Sequence, residues 1–165
     1  MPTGHGGQIT AIFDRHRAEF VMHFSIEERI AELEAGGWKR RHGGPFIETI
    51  GPLWVRSESS GWVYGLLGQE RHLNPANVVH GGCLQALIDH ALSTLAWEAV
   101  GRIPCLTVET TSQFLATAKA NDFIVARGSE IGRSRSLIFM RGTLEANDRL
   151  LMSVQAIFKI AKNSS

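Results

Sequence analysis

The feature that most constrains this chain is a long apolar stretch containing a single charge. Among residues 72–97 the only Asp, Glu, Lys or Arg is Asp89. From Gly82 to Val100 the apolar side chains recur so that they cover most of the circumference of a helix. A helix that is apolar almost all round is buried. We therefore expect the rest of the domain to pack around this helix.

Segments of strand character lie on both sides of this helix. The candidates before it are Phe46–Ile50, Leu53–Glu58 and Gly61–Glu70, and those after it are Cys105–Leu115, Phe123–Ile131, Ser136–Glu145 and Leu150–Ile160. Breaks at residues 120–122, at Gly132 and at residues 147–148 have the length of hairpin turns, which predicts an antiparallel meander.

Two further helices are predicted before the strands. Apolar residues recur at helical spacing over 8–22, and Ser25 with Glu28 forms a capping box at the head of a helix over 26–35. The sequence therefore predicts an α+β fold in which an antiparallel sheet surrounds a central buried helix. We expect residues 1–44 to form a helical extension and residues 45–165 to form the main domain.

Composition excludes several classes of function. The 165 residues fit one domain, and a net charge of +1 offers no broad basic surface for nucleic acid or an anionic membrane. No apolar run approaches the ~20 residues of a membrane span, and the N-terminus lacks the order of a signal peptide, so a cytoplasmic protein is expected. The two cysteines and seven histidines show no ligand spacing, and we expect no metal.

Asp89 lies on a narrow polar stripe of the helix together with Gln85 and Ser93, at spacings of four residues. Burying a carboxylate is costly unless it is paired or hydrogen-bonded, and a desolvated carboxylate becomes a usable base near neutral pH. One interpretation is therefore a general base. The alternatives are a buried network in which Gln85 and Ser93 satisfy Asp89, or a carboxylate that emerges at a subunit interface.

The same helix begins at His80-Gly81-Gly82. The first N–H groups of a helix have no intrahelical acceptor, so Gly81 and Gly82 can donate to a carbonyl oxygen that gains negative charge. The alternative is an ordinary turn into a helix beside a loop histidine. A second His-Gly-Gly at residues 42–44 precedes Pro45 and a predicted strand, so we interpret it as a loop without this function.

Gly81 and Asp89 are too far apart on one helix to serve one carbonyl group. Eight residues span about 12 Å at 1.5 Å per residue. If Gly81 polarises a carbonyl and Asp89 activates the attacking water, the two residues come from different copies of the helix across a two-fold axis. The spacing therefore predicts a homodimer, with a dimer of dimers as the larger alternative.

From about Pro45 to Ile160 the chain resembles the hotdog-fold acyl-CoA thioesterases, specifically the PaaI-type branch of phenylacetic acid degradation. The resemblance rests on Asn74 before His80-Gly81-Gly82, on Asp89 within the helix, and on Thr107 in the following strand. It implies dimers that join their sheets, and metal-free hydrolysis of an acyl-CoA thioester to a carboxylic acid and free coenzyme A. No cofactor is expected, because coenzyme A belongs to the substrate.

The resemblance also implies roles for individual residues. Gly81 would polarise the thioester carbonyl, and Asp89 would act as general base or as nucleophile. Asn74 would place the water or the carbonyl, His80 would support the loop, and Thr107 would approach the Asp carboxylate from the other chain. Where the family often has an Arg-Pro-Ala-type segment, this chain reads Leu115-Ala116-Thr117-Ala118-Lys119.

Other residues are candidates for contacts to the remaining parts of the substrate. Gly82, Gln85 and Ser93 are candidate substrate-binding residues. Arg133 and Arg135 are candidates for the CoA phosphates because guanidinium groups suit phosphate, although exposed arginines at a turn often face only solvent. Trp54, Leu66, Trp62, Trp97 and Phe114 are candidates for an acyl tunnel or for ordinary core.

Three residues or functions compete with this interpretation. Glu109 is a second isolated charge, but it lies on a strand and is expected to face water or a neighbouring chain. A hotdog enoyl-CoA hydratase or dehydratase generally uses a histidine base, and the acidic-His loop before the helix is absent. A non-catalytic acyl-CoA sensor needs no carboxylate in the helix.

Overall fold

The computed structural model describes residues 26–161, and the predicted helix over 8–22 and Ser25 of the predicted capping box lie outside these residues. Three α-helices and seven strands are present in the described part. They are α1 (Ile26–Ala35), β1 (Lys39–Arg41), α2 (Pro45–Ile50), β2 (Leu53–Glu58), β3 (Gly61–Leu67), α3 (Gly81–Ala99), β4 (Cys105–Phe114), β5 (Phe123–Arg133), β6 (Leu137–Ala146) and β7 (Arg149–Ile160), with a 3-10 turn at Glu70–His72.

All seven strands form one antiparallel sheet in the order β1-β2-β3-β5-β6-β7-β4. Helix α3 packs across one face of this sheet. Its inward side chains are fully buried, namely Leu87, Ile88, Ala91, Leu92 and Ala96. The predicted fold, an antiparallel sheet around a buried helix, is therefore confirmed.

The sheet comes close to α3 through a pair of glycines. Gly128 of β5 lies opposite Gly142 of β6, both beneath the helix. A Cβ atom at Gly128 would lie 2.3 Å from Cδ2 of Leu92, and one at Gly142 would lie 2.8 Å from the same atom. Any side chain at these positions would push α3 away from the sheet.

Replacing Gly142 with alanine is therefore expected to lower the free energy of unfolding by about 1–3 kcal/mol, the usual cost of overpacking a core. The new Cβ would also lie 2.7 Å from the backbone carbonyl oxygen of Arg127, which cannot move without disturbing the strand pair. Urea unfolding measures the change. Gly132→Ala is the matched control, since no atom lies within 4 Å of its Cβ position. Equal losses in the two variants would contradict the glycine-pair argument.

The opposite face of the sheet carries a second, smaller core. Along β2 and β3, Trp54 and Val63 alternate with residues of the α3 core and therefore point away from α3. They pack with Trp38 and with Leu33 of α1. Helix α1, which belongs to the predicted N-terminal extension, thus covers this outer face, and β1 of the same extension joins the sheet. The predicted domain boundary between residues 44 and 45 stays a prediction.

The predicted strand at Phe46–Ile50 is wrong, because these residues form helix α2. Pro45 stands at the first position of that helix, where its fixed φ angle favours the helical turn. A helix therefore also follows the first His-Gly-Gly, contrary to expectation. There the Glu48 carboxylate accepts a hydrogen bond from the Gly43 N–H at 3.1 Å. This N–H is therefore already bonded within the chain.

The order of the last four strands also differs from a simple meander. Strand β4 pairs with β7 at the far edge, so residues 120–122 connect distant strands instead of forming a hairpin. Gly132 is no break, because β5 passes through it with a bulge. The predicted strand at Gly61–Glu70 ends at Leu67. The turn at Asn147-Asp148 is confirmed, and both residues adopt the positive φ typical of two-residue hairpins.

Candidate active site

The N-terminus of α3 leaves one backbone donor unused. His80 caps the helix: its Nδ1 accepts from the Gly82 N–H at 2.8 Å, and its carbonyl oxygen accepts from the N–H groups of Cys83 and Leu84. The Gly81 N–H has no acceptor among residues 26–161. Of the two glycines predicted to donate to a carbonyl oxygen, only Gly81 is therefore available for that role in this structure.

The ring of Phe114 lies beside this donor. A Cβ atom at Gly81 would lie 3.4 Å from Cε1 of Phe114, which is ordinary contact distance. Phe114 is itself more than half exposed at the end of β4. The free N–H of Gly81 thus lies next to an exposed aromatic ring, a surface that suits the apolar part of a substrate.

Asp89 is half-buried on α3, and its carboxylate faces β4. The Thr107 hydroxyl donates a hydrogen bond to Asp89 Oδ1 at 2.9 Å. The expectation that Thr107 reaches the carboxylate from another chain is therefore corrected, because the contact forms within this chain. The cause is the path of β4, which crosses the polar stripe of α3 after the turn at Gly101.

The other two residues of the polar stripe do not bind Asp89. Gln85 donates to Thr110 Oγ1 at 3.1 Å and accepts from the Ser112 hydroxyl at 2.8 Å. Ser93 donates to the carbonyl oxygen of His90 at 3.0 Å. A buried network of Gln85, Asp89 and Ser93 is thus absent from the described contacts, and the Asp89 carboxylate keeps accepting capacity beyond Thr107.

A bulge in β4 explains which of its residues face α3. The pairing with β7 shifts between Thr107 and Glu109, so one residue is inserted there. Before the bulge Thr107 contacts α3, and after it Thr110 and Ser112 do. Glu109 is consequently exposed, and its carboxylate accepts only from the neighbouring Thr111 hydroxyl among the described residues. Sequence alternation alone missed Thr110 and Ser112, because no residue pattern marks this bulge.

Asn74 shapes the loop before α3. Its Oδ1 accepts hydrogen bonds from the N–H groups of Ala76 and Val78, at 2.9 and 3.4 Å. The loop is closed further by the bridge between Leu73 and Val79. The Nδ2 amide of Asn74 has no acceptor among the described residues, so it remains a donor for a ligand.

Burial shifts the pKa values of two side chains near Asp89 and the helix start. It lowers the pKa of His90, although the neighbouring Asp89 charge opposes the shift, and His90 is therefore neutral at neutral pH. Burial also raises the pKa of the Cys83 thiol, against the opposing Arg71 charge. A raised thiol pKa disfavours Cys83 as a nucleophile.

A cleft of about 320 Å³ opens where the second half of α3 meets the start of β4. Its lining consists of His90, Ser93, Thr94, Trp97, Pro104 and Cys105 and does not include Asp89. Of the other predicted tunnel residues, Trp54 and Leu66 are fully buried in the cores, whereas Trp62 is exposed.

The two predicted phosphate ligands differ in their environment. Arg133 forms a two-pronged ion pair with Glu130, with both contacts at 2.7 Å, and donates to the carbonyl oxygen of Ala99 at the end of α3. Its guanidinium is therefore already bonded to other groups of this chain. Arg135 is exposed and has no ion pair among the described residues.

Two other kinds of feature are absent from the described residues. Residues 26–161 contain no group of three His, Cys, Asp or Glu side chains placed to hold a metal ion. Within the same described range, no helix has the length and apolar character needed to cross a membrane.

Comparisons with known proteins show which family part of this chain resembles. Residues 76–153 match the family described as the thioesterase superfamily. A Pseudomonas aeruginosa protein named as a putative esterase is 25% identical over 118 residues, which cover 70% of this chain and 88% of that protein.

Solved structures share the fold. A mutant of the phenylacetic acid degradation protein PaaI from Thermus thermophilus has a TM-score of 0.62 at 24% identity, covering 72% of this chain and all of that one. A hypothetical thioesterase from Streptococcus pneumoniae, solved with coenzyme A, has a TM-score of 0.58 at 16% identity, covering 68% and 91% of the two chains. The resemblance predicted from the sequence is thereby confirmed: this chain has the hotdog fold, and its residues 76–153 match the thioesterase superfamily.

Proposed function

We propose that this protein hydrolyses an acyl-CoA thioester to a carboxylic acid and free coenzyme A. The active form is a homodimer with two equivalent sites. Each site combines the Gly81 N–H of one protomer with the Asp89 carboxylate of the other. The match to the thioesterase superfamily supports thioester hydrolysis in general, and the arrangement of residues on α3 is the basis for the finer proposal.

The observation that carries the proposal is the separation of two chemically complementary groups on one helix. An unused N–H at Gly81 suits a developing oxyanion, and a carboxylate at Asp89 suits a base or nucleophile. They are about 12 Å apart along α3. One carbonyl group cannot contact both, whereas two antiparallel copies of α3 would pair each Gly81 with the opposite Asp89.

The open edge of β4 supports such a pairing. Within the described chain, β4 pairs with β7 on one side only. Large apolar side chains are exposed along and just after it: Leu106 at 65%, Val108 at 59%, Phe114 at 54% and Leu115 at 56%. An exposed edge strand with apolar side chains is a template for pairing with another strand. Joining two β4 strands would bring both copies of Asp89 and Gly81 towards the same seam.

The chemistry then follows from these groups. The thioester oxygen accepts from the Gly81 N–H, where the positive end of the α3 dipole stabilises the charge that develops. With Asp89 as general base, the carboxylate takes a proton from water, the water oxygen bonds to the carbonyl carbon, the C–S bond breaks, and the proton passes to the CoA thiolate. With Asp89 as nucleophile, its oxygen bonds to the carbonyl carbon, the C–S bond breaks, and coenzyme A leaves as the thiolate. Water then hydrolyses the mixed anhydride to the free acid and the Asp89 carboxylate, and the proton released passes to the CoA thiolate.

Neighbouring residues would hold the reacting groups in place. Thr107 fixes one oxygen of Asp89, and the free Nδ2 of Asn74 is a donor for the water or the carbonyl. His80 positions Gly81 by capping the helix. The acyl group would occupy the cleft between the second half of α3 and the start of β4, where Ser93 and Trp97 line the wall.

Binding of coenzyme A is supported by the Streptococcus pneumoniae neighbour, whose structure contains that molecule. The chain also has two free thiols, Cys83 and Cys105, which suits a reducing compartment such as the cytoplasm. We therefore place the reaction there.

A thiol-release assay over aryl-, branched- and medium-chain acyl-CoAs tests the proposal. At least one of these should give free thiol at a rate well above background, and sedimentation should show a dimer in the active fraction. Loss of the enoyl absorbance of crotonyl-CoA without thiol release would favour a hydratase instead. Tight acyl-CoA binding with no turnover would favour a sensor, and an active monomer would refute the shared site.

A further inference from the structure

A basic cleft lies between β1 and α2, on the sheet edge opposite β4. It has a volume of about 480 Å³ and is lined by Arg40, Arg41, His42, Glu48, residues 51–52 and Arg71. We name it the β1 cleft. Three arginines and one glutamate line it, in a chain whose net charge is only +1. Positive charge is thus concentrated at this position.

The arginines of the β1 cleft are not neutralised by the described part of the chain. None of the three forms an ion pair with a carboxylate there, whereas six other arginines do: Arg29, Arg56, Arg102, Arg127, Arg133 and Arg149. The one carboxylate of the cleft, Glu48, is held by His42 Nδ1 at 3.2 Å and by the Gly43 N–H. Clustered cations without counter-ions repel one another and attract a polyanion.

The other contacts of these arginines leave donors free. The Arg40 guanidinium lies 5.2 Å from the centre of the Trp54 ring on the outer face of the sheet, whereas Arg41, the next residue of β1, points to the face that carries α3. Arg71 donates to the carbonyl oxygen of Gly51. The Arg41 side chain has no hydrogen bond with the described residues. A guanidinium carries five N–H donors, so the cleft can offer several to phosphate oxygens.

The β1 cleft adjoins the start of α3 through Arg71. A second cleft of about 320 Å³ is lined by Arg71 together with His72, His80, Gly82, Cys83 and Ala86, among other residues. Arg71 is thus common to both clefts. A long substrate whose reactive carbonyl lies at Gly81 could pass through the second cleft and reach the β1 cleft with its far end.

We propose that the β1 cleft binds the phosphate groups of coenzyme A, with the pantetheine arm lying in the second cleft. This inference rests on the proposed function. It places the phosphates on Arg41 and Arg71, in contrast to the turn at residues 133–135, where Arg133 is already paired with Glu130.

The test compares three variants of the full chain by calorimetric titration with free coenzyme A at low salt. Arg40→Gln/Arg41→Gln removes the Arg41 charge from the β1 cleft together with the neighbouring Arg40 charge, Arg135→Gln removes the exposed charge at the rival turn, and Arg141→Gln removes an exposed arginine on the outer face of the sheet as a control. We expect Kd for coenzyme A to rise about tenfold or more in the double variant, the scale of lost charge-assisted hydrogen bonds. Arg135→Gln and Arg141→Gln should change Kd less than twofold.

A kinetic readout separates phosphate binding from damage to the fold. A short N-acetylcysteamine thioester has the same reacting group without the nucleotide. In the double variant, the ratio of kcat/KM for acyl-CoA to that for the short thioester should fall about tenfold, because only acyl-CoA has phosphates to lose. Misfolding would lower both values and leave the ratio unchanged. Arg41→Gln alone keeps the contact between Arg40 and Trp54, and it should give most of the change.

The outcomes distinguish the two proposals. If the wild-type protein hydrolyses acyl-CoA but the double variant keeps its Kd and its ratio, the β1 cleft is not the phosphate site while the thioesterase proposal stands. A tenfold loss in Arg135→Gln instead would move the phosphates to the rival turn and overturn the inference. If the wild-type protein neither binds coenzyme A nor hydrolyses any acyl-CoA, the proposed function itself fails, and the inference fails with it.

Discussion

Replacing Gly81 with proline is expected to lower kcat for thioester hydrolysis about 10²–10³-fold, the usual cost of losing one oxyanion donor. Proline has no backbone N–H, so the substitution removes the one group that we propose binds the carbonyl oxygen. Gly81 is the first residue of α3, the helix position at which proline is favoured. His80 has φ −60° and ψ 135°, which is the region favoured by a residue before proline. The fold should therefore tolerate the change.

Gly81→Ala is the matched control for this prediction. It keeps the N–H, and its Cβ would lie 3.4 Å from the Phe114 ring, an exposed side chain that can move. Its kcat should therefore fall far less than that of Gly81→Pro. Single-turnover rates measure the difference, and thermal unfolding verifies that both variants are folded. Equal activity in the two variants would mean that the Gly81 N–H does not take part in the reaction.

The central helix and its start beside His80 were predictable from the sequence because they depend on local patterns. One charge in a long apolar stretch is typical of a buried helix, and the predicted range, from Gly82 to Val100, differs from α3 by one residue at each end. The cap at His80 depends on the residues next to it. Such features need no knowledge of which segments meet in space.

Features that depend on pairing between distant segments were not predictable. The position of β4 beside β7 follows from the crossover of α3, and the bulge after Thr107 decides which side chains reach Asp89. Strand β1 was missed because its three residues are all charged and exposed, and it is held by pairing with β2. The sequence pattern favours a strand at Phe46–Ile50 because the apolar residues there suit either structure, and only Ile47 of the helix is buried.

Replacing Asp89 with asparagine is expected to lower kcat at least ~10²-fold, the scale of removing one general base. Asparagine has nearly the same shape and can still accept the hydrogen bond from Thr107, so the fold should remain intact. It cannot take a proton from water at neutral pH, and it is a poor nucleophile. Glu109→Gln is the matched control. Because Glu109 is exposed on the far side of the β4 bulge, this variant should keep most of the wild-type activity. A similar loss of kcat in both variants would contradict the proposed role of Asp89 as general base or nucleophile.

Mixing the two inactive variants tests whether each site is shared between protomers. In a heterodimer of Gly81→Pro and Asp89→Asn chains, one site receives the intact Gly81 and the intact Asp89, and the other site receives both substitutions. Random assortment makes about half of the dimers mixed, so activity should recover to about a quarter of the wild-type value. A site built within one chain would instead give no recovery, since every copy would carry one of the two substitutions. Co-expression with two different affinity tags, followed by purification of the mixed dimer, makes the comparison direct, and the isolated heterodimer should then have about half of wild-type activity.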